Sequence, residues 1–154
     1  MLTSWPDTLT CRVCGPGKIQ TAEPLSTDVE CVDCPVGKYL LDSGTDTFLH
    51  DDTNDCKTCD AGFEVASSVA GCRICPSGRY QALSGVAGAP CLDCPHGRYL
   101  LDAATSPSEH DDATKCLQCG KGRSFVNRTS PCAVCSAGTF QAQDDVDAVS
   151  CTRC

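Results

Sequence analysis

Residues 91–102 read Cys91-Leu92-Asp93-Cys94-Pro95-His96-Gly97-Arg98-Tyr99-Leu100-Leu101-Asp102, and residues 31–42 have already read Cys31-Val32-Asp33-Cys34-Pro35-Val36-Gly37-Lys38-Tyr39-Leu40-Leu41-Asp42. A chain that restates twelve residues so closely is built of repeats, and the repeat decides the fold. All sixteen cysteines fall into eight CxxC pairs, at 11/14, 31/34, 56/59, 72/75, 91/94, 116/119, 132/135 and 151/154. A glycine stands three residues after the second cysteine of the first seven pairs, at Gly17, Gly37, Gly62, Gly78, Gly97, Gly122 and Gly138. Pro35, Pro76 and Pro95 hold the preceding cysteine extended, and the glycine then permits a positive-φ turn.

Cys72 lies 61 residues after Cys11, while Cys91, Cys116 and Cys132 each lie 60 after Cys31, Cys56 and Cys72. The period therefore spans three loops. It divides the chain into the end of a preceding repeat (1–10), a first three-loop repeat (11–71), a second (72–131) and a partial third (132–154). First-type loops begin at Cys14, Cys75 and Cys135 and align Ile19, Tyr80 and Phe140, each followed by Gln20, Gln81 or Gln141. Second-type loops begin at Cys34 and Cys94 and carry Tyr39 or Tyr99 before Leu-Leu-Asp. Third-type loops, from Cys59 and Cys119, are the shortest and place Phe63 and Phe125 in different registers. Cys151 to Cys154 open another second-type loop, so the array is expected to run on.

Sixteen cysteines in 154 residues exceed the roughly 8–10% at which a disulfide or metal scaffold becomes the default. One Trp, three Tyr and four Phe cannot furnish a single large core, so cross-links must supply the stability. No stretch keeps helical apolar spacing over the length of a packed helix, and Gly, Ser, Thr, Asp and Pro punctuate every loop. The expected fold is a small disulfide-rich repeat protein, an elongated rod of short β-hairpin loops with little or no helix. Arg79-Tyr80-Gln81-Ala82 and Lys38-Tyr39-Leu40-Leu41 are the strand candidates. The aromatic two residues after the glycine is expected to turn back over a neighbouring disulfide; the alternative leaves Tyr39 and Tyr99 exposed for binding.

The net charge of −8 argues against nucleic acid and anionic lipid as partners. Met1 to Thr10 carry neither the basic stretch nor the apolar run of a secretory signal, and no run reaches the length of a membrane span. A targeting signal is therefore expected outside these residues, as in a segment of a longer chain.

Three chemistries compete for the CxxC pairs. A thioredoxin-like redox site needs a helix N-terminus to acidify one thiol, and eight copies exceed any catalytic need. Cys₄ zinc sites fit the spacing between pairs but sit poorly with the acidic charge and the strict loop periodicity. Disulfides suit small loop-rich modules of oxidising compartments and are the reading adopted. Two wirings are open. An interlocked scheme beginning with Cys11 to Cys31 satisfies all sixteen cysteines but needs blocks of two pairs where the repeat holds three. Closing each loop onto the next pair wires every copy alike: Cys14 with Cys31, Cys34 with Cys56, Cys59 with Cys72, Cys75 with Cys91, Cys94 with Cys116, Cys119 with Cys132, and Cys135 with Cys151. It leaves Cys11 and Cys154 to partners outside the segment. Each ring then contributes on the order of 3 kcal/mol by constraining the unfolded chain.

Cys31 to Tyr39, Cys72 to Tyr80 and Cys91 to Tyr99 follow a CxxCPxGxY pattern that resembles the ephrin-receptor-like cysteine-rich repeats. More distantly, the chain is similar to the first loops of tumour necrosis factor receptor modules. In those modules a Cys-x-x-Gly-x-aromatic loop closes onto the next cysteine, so the resemblance implies the sequential wiring. The chain departs from them in lacking a third closely spaced cysteine, and Asp60 and Gly120 stand where the pattern has proline. The resemblance implies a rod of repeats in extracellular proteins.

Asp42, Asp46 and His50-Asp51-Asp52, matched by Asp102 and His110-Asp111-Asp112, form an acidic run in each second-type loop. Clustered carboxylates can hold Ca²⁺, but the spacing fits no calcium loop, and a solvated acidic turn with histidine bonded to a carboxylate is expected instead. Asn127-Arg128-Thr129 is an N-glycosylation sequon, and His96 is expected to be exposed. No catalytic grouping is present, and no cofactor or metal is assigned. The function expected is a non-catalytic, extracellular or cell-surface structural rod that packs against copies of itself or matrix and surface glycoproteins. A receptor ectodomain and a Cys₄ zinc scaffold are the alternatives.

Overall fold

The computed structural model describes residues 13–20 and 30–154 of the chain. Within them lie five separate two-stranded antiparallel hairpins: β1 (Lys18–Gln20) with β2 (Cys31–Asp33), β3 (Phe63–Ser67) with β4 (Gly71–Ile74), β5 (Arg79–Tyr80) with β6 (Leu92–Asp93), β7 (Arg123–Ser124) with β8 (Ala133–Val134), and β9 (Thr139–Phe140) with β10 (Thr152–Arg153). The helical content is three 3-10 turns of three residues each, Thr47–Leu49, Pro107–Glu109 and Ala113–Lys115. The protein is thus a small disulfide-rich assembly of β-hairpins.

Seven disulfides close seven successive loops: loop 1 (14–31), loop 2 (34–56), loop 3 (59–72), loop 4 (75–91), loop 5 (94–116), loop 6 (119–132) and loop 7 (135–151). Each internal CxxC ends one loop with its first cysteine and begins the next with its second. The fourteen sulfurs that a zinc scaffold would need as thiolates are bonded to one another, which removes that alternative for them. Cys154 is a free, exposed thiol, and Cys11 falls outside the described residues.

The strands differ from expectation in place and length. Lys38 to Leu41 contributes an isolated bridge, Tyr39 to Lys57, repeated as Tyr99 to Leu117, because its other backbone bonds go to neighbouring loops. The best hairpin belongs to the short third-type loop 3, where Phe63, Glu64 and Val65 face Ile74, Arg73 and Cys72.

Burial is local. Ile19 packs with Leu40 and the Cys34–Cys56 bridge. Tyr80 lies against Leu100 and the Cys94–Cys116 bridge. Tyr99 and Phe125 flank Val149 and the Cys119–Cys132 bridge. A large side chain from one loop covers the disulfide of another, and each disulfide with its cover is a small core of its own.

Alternate loops also approach one another closely, and the loop-entrance glycines mark where. A Cβ at Gly17 would lie 2.8 Å from Val69 of loop 3, at Gly37 2.1 Å from the Gly88 amide nitrogen of loop 4, and at Gly62 2.3 Å from the Pro107 carbonyl of loop 5. At Gly78 it would lie 3.0 Å from Arg128 of loop 6, and at Gly97 1.8 Å from the Ala148 nitrogen of loop 7. Loop n thus leaves room for loop n+2, five times in succession.

Gly97 and Gly122 separate the two demands on this position. Both have positive φ, 88° and 74°, but a Cβ at Gly122 meets nothing within 4 Å. Gly122→Ala is expected to cost about 1–2 kcal/mol for its left-handed backbone alone. Gly97→Ala is expected to lose a further ~1–3 kcal/mol because loop 7 must move away. Urea unfolding of both variants measures the gap, and equal losses would show that the loops do not touch there.

Candidate functional site

The residues that join loops of the first and second types form the most elaborate polar arrangement in the molecule, and it occurs twice. In loop 2, Asp42 ends the Leu-Leu-Asp segment and folds the chain over itself in an Asx turn. Its Oδ2 accepts the amides of Gly44 and Thr45 at 2.9 Å and of Asp46 at 3.3 Å, and its Oδ1 accepts the Thr45 hydroxyl. Asp46 then caps the 3-10 turn by accepting the Phe48 amide, which delivers His50 back onto Asp42. The His50 Nε2 lies 2.9 Å from Asp42 Oδ2, its Nδ1 lies 2.7 Å from the Lys18 carbonyl of β1, and its own carbonyl accepts the Gln20 amide at 2.6 Å.

Loop 5 repeats the device on loop 4. Asp102 Oδ2 accepts the amides of Thr105 and Ser106, and its Oδ1 takes the Thr105 hydroxyl. His110 Nε2 lies 3.0 Å from Asp102, its Nδ1 lies 2.7 Å from the Arg79 carbonyl, and its carbonyl accepts the Gln81 amide at 2.8 Å.

Both histidines are wholly buried, at 0% exposure. This corrects the expectation of a solvated acidic turn: the carboxylate bond is present, but the imidazole is an inward strut. Asp51, Asp52 and Asp112 do stay exposed. Among the described residues no group of three or more His, Cys, Asp or Glu side chains could hold a metal.

A carbonyl and an ionised carboxylate only accept hydrogen bonds, so both ring nitrogens of His50 must donate, and the ring is an imidazolium. Burial by itself pulls the His50 pKa down, but the bond to the Lys18 carbonyl and the bond to and charge of Asp42 outweigh it and leave the pKa raised. The bond from His50, followed by those from the Thr45 amide and hydroxyl, holds Asp42 well below the usual carboxylate range. For Asp102 the Thr105 hydroxyl leads, followed by the Ser106 and Thr105 amides. What this arrangement does chemically is clamp: charge-assisted bonds fix the far end of a long loop onto the strand of the loop before it.

Two further polar contacts tie loops 3 and 4, and sequence reasoning assigned neither. Burial would raise the Glu64 pKa, but bonds from the Cys91 amide (3.0 Å) and Arg73 leave it lowered. The buried Gln81 donates to the Phe63 carbonyl and accepts the Leu83 amide. The alignment of Gln20, Gln81 and Gln141 was the available signal for the latter.

Asn127 is exposed, and its Oδ1 accepts the Thr129 amide at 2.9 Å and hydroxyl at 3.1 Å. His96 is exposed, with its ring 5.8 Å from that of Phe125. Tyr39 and Tyr99 are half-buried.

No protein-family model matches the chain. It is 30% identical over 135 residues to Ephrin type-B receptor 4a of Danio rerio, covering 86% of this chain and 12% of the receptor. It is 32% identical over 102 residues to Signal peptide, CUB and EGF-like domain-containing protein 2 of Mus musculus, covering 66% of this chain and 10% of that protein. The chain spans about a tenth of the length of these relatives. It is a cysteine-rich, disulfide-linked segment similar to part of each.

The raised His50 pKa sets a sign. Its stabilising contribution is fully present below the unfolded-state value near 6.5 and is lost as pH rises through the raised folded value; the lowered Asp42 contributes above its unfolded value near 3.8 and fails only in stronger acid. The denaturation midpoint is therefore expected to fall as pH is raised from near neutral into the alkaline range. His50→Gln should remove its share of that slope, and an unchanged slope in the variant would refute a protonated His50.

Proposed function

We propose that the chain is a non-catalytic segment of an extracellular or cell-surface protein, a disulfide-laddered rod that serves as a building block of a surface or matrix assembly. The observation that carries this reading is the succession of contacts: each loop from 1 to 6 is bonded to the next, and loops 1 to 5 each leave a gap filled by the one after that. A load applied at one end is passed on through covalent rings and short backbone contacts, with no flexible linker between loops 2 and 7. Its units are taken to be the repeats 11–71, 72–131 and 132–154, with 1–10 ending a preceding one; the recurrence of the Asp42–His50 clamp as Asp102–His110 supports that division. Seven disulfides favour an oxidising compartment, and the names of the relatives, a receptor and a protein with a signal peptide, agree with it. The partners are copies of the same array or other matrix and surface glycoproteins, and no cofactor or enzyme activity belongs to this reading. Electron microscopy of the native protein tests it: filaments or lateral arrays are expected, and isolated particles tethered singly at a membrane would overturn it.

The second reading is the ectodomain of a ligand-binding receptor. It is favoured by the similarity to Ephrin type-B receptor 4a and by Val36 and Phe48, 97% and 78% exposed, where the next copy carries His96 and Ser108. Such differences on one loop are what a binding face would need. Loss of partner binding in a Phe48→Ser chain that unfolds at an unchanged midpoint would favour it over the structural role.

Secretion gives Asn127 a further expectation. Asn127 is exposed, and its bonds to Thr129 engage the side-chain oxygen rather than the nitrogen that would carry a glycan. A mass decrease on glycosidase treatment is expected, and it should be absent in Asn127→Gln; native protein with no mass change would refute the modification.

A further inference from the structure

Loop 7 presents a face that its counterparts in loops 1 and 4 keep covered. In loop 1 the Gly17 amide donates to the Leu40 carbonyl at 2.8 Å, the Gln20 amide to the His50 carbonyl, and the Lys18 carbonyl accepts the His50 ring, while Ile19 lies buried beneath Leu40 and the Cys34–Cys56 bridge. Loop 4 makes the same set to loop 5: Gly78 to Leu100 at 2.9 Å, Gln81 to His110, the Arg79 carbonyl to the His110 ring, and Tyr80 against Leu100 and the Cys94–Cys116 bridge.

The corresponding residues of loop 7 are Gly138, Thr139, Phe140 and Gln141. Among the described residues the Gly138 and Gln141 amides meet no acceptor, no histidine reaches the Thr139 carbonyl, and Phe140 is 50% exposed. A Cβ at Gly138 would meet nothing within 4 Å, and none at Gly122 either, although its counterpart Gly62 is pressed against Pro107 of a second-type loop. The Gln141 side chain is only 7% exposed, yet its Oε1 has no partner. Cys154 completes the set. Its amide donates to the Gly138 carbonyl at 3.0 Å, as those of Cys34 and Cys94 do to Gly17 and Gly78 at 2.7 and 2.8 Å, and its thiol is free.

The geometry points to a loop-docking seat on this face, shaped for one second-type cysteine-rich loop that begins at Cys154 and closes by a disulfide to it. One such loop meets the backbone and apolar demands at once, while the counterpart of Gln141 Oε1 in loop 4 is satisfied by the Leu83 amide of its own loop. Its Leu-Leu carbonyl takes the Gly138 amide, its buried histidine bridges the Thr139 carbonyl and the Gln141 amide, its apolar residues and disulfide cover Phe140, and its 3-10 turn lies on Gly122. A second copy of the chain is a poor occupant, because loops 2 and 5, its loops of this type, already have that face seated on loops 1 and 4. In both filled seats the docked loop is also continuous with the cysteine on the glycine carbonyl. The seat serves a spacer and a receptor ectodomain equally, so it fails or stands independently of the proposed role.

The test extends the full chain after Cys154 with a copy of its own residues 95–118. Peptide mapping is expected to find Cys154 bonded to the added cysteine, and hydrogen exchange at the Gly138 and Gln141 amides is expected to slow by about tenfold or more. Phe140→Ser should leave the midpoint of the unextended chain nearly unchanged while lowering that of the extended one. Should the extension hinder folding, the oxidised unextended chain offered a peptide of residues 95–118 in a thiol–disulfide buffer is expected to capture it at Cys154. A Cys154 thiol that stays titratable in both arms, unchanged exchange at the two amides, or a stable dimer joined through Cys154 would overturn the seat.

Discussion

Each internal CxxC divides its two sulfurs between two rings, and the whole architecture follows from that division. One closes the loop behind and the other opens the loop ahead, so the end of one ring and the start of the next lie within a few residues along the chain. Neighbouring rings are therefore held together covalently before any non-covalent contact is made. Loop-closure entropy is removed from the unfolded chain ring by ring, which is how a sequence with so few aromatic residues reaches a defined fold without a common core. The covers that exist, Ile19, Tyr80 and Tyr99, are spent on the disulfides themselves.

Disulfides alone fix connectivity and leave orientation free; the rings could pivot about each CxxC. Two features remove that freedom. The glycine contacts bring loop n against loop n+2 at distances no side chain could share. The aspartate–histidine clamps fix the longest loops, whose 22-residue separations would otherwise leave them the least constrained. Burying the His50 imidazolium carries a desolvation penalty that its bonds offset only if all are made. The clamp is thus unforgiving of a shifted loop.

The repeat period, the disulfide-rich hairpin character and the near absence of helix were legible in the sequence, because cysteine and glycine spacing report covalent and backbone constraints directly. The strand assignments were less so. Lys38 to Leu41 has a strand-like composition, yet Tyr39 bridges Lys57 while the Leu40 amide donates to the Ser68 carbonyl and the Leu40 carbonyl accepts the Gly17 amide, so inter-loop bonding overrides local pairing. The burial of His50 and His110 could not be read from an acidic run, since composition reports the loop's surface and the two inward bonds depend on a turn that Asp42 and Asp102 create. The role of the glycines beyond the turn was equally hidden: positive φ explains each locally, whereas the approach of a loop some 50 residues away explains why Gly37 and Gly97 admit nothing larger.

The two full copies can be compared position by position, and the comparison separates what holds the array from what it shows to its surroundings. Groups that bond between loops recur: Leu40 and Leu100, Asp42 and Asp102, His50 and His110, Gln20 and Gln81. Several exposed positions differ: Val36 becomes His96, Phe48 becomes Ser108, and Lys57 becomes Leu117. Even backbone geometry is kept while the residue changes, since Ala104 and Ala148 hold the positive φ of Gly44 and Gly88. A scaffold stabilised by sulfur and backbone bonds takes almost nothing from its outward side chains, so those are free to differ from loop to loop. Chemical identity along such an array therefore resides on its exterior, in the sequence of outward residues that successive loops present.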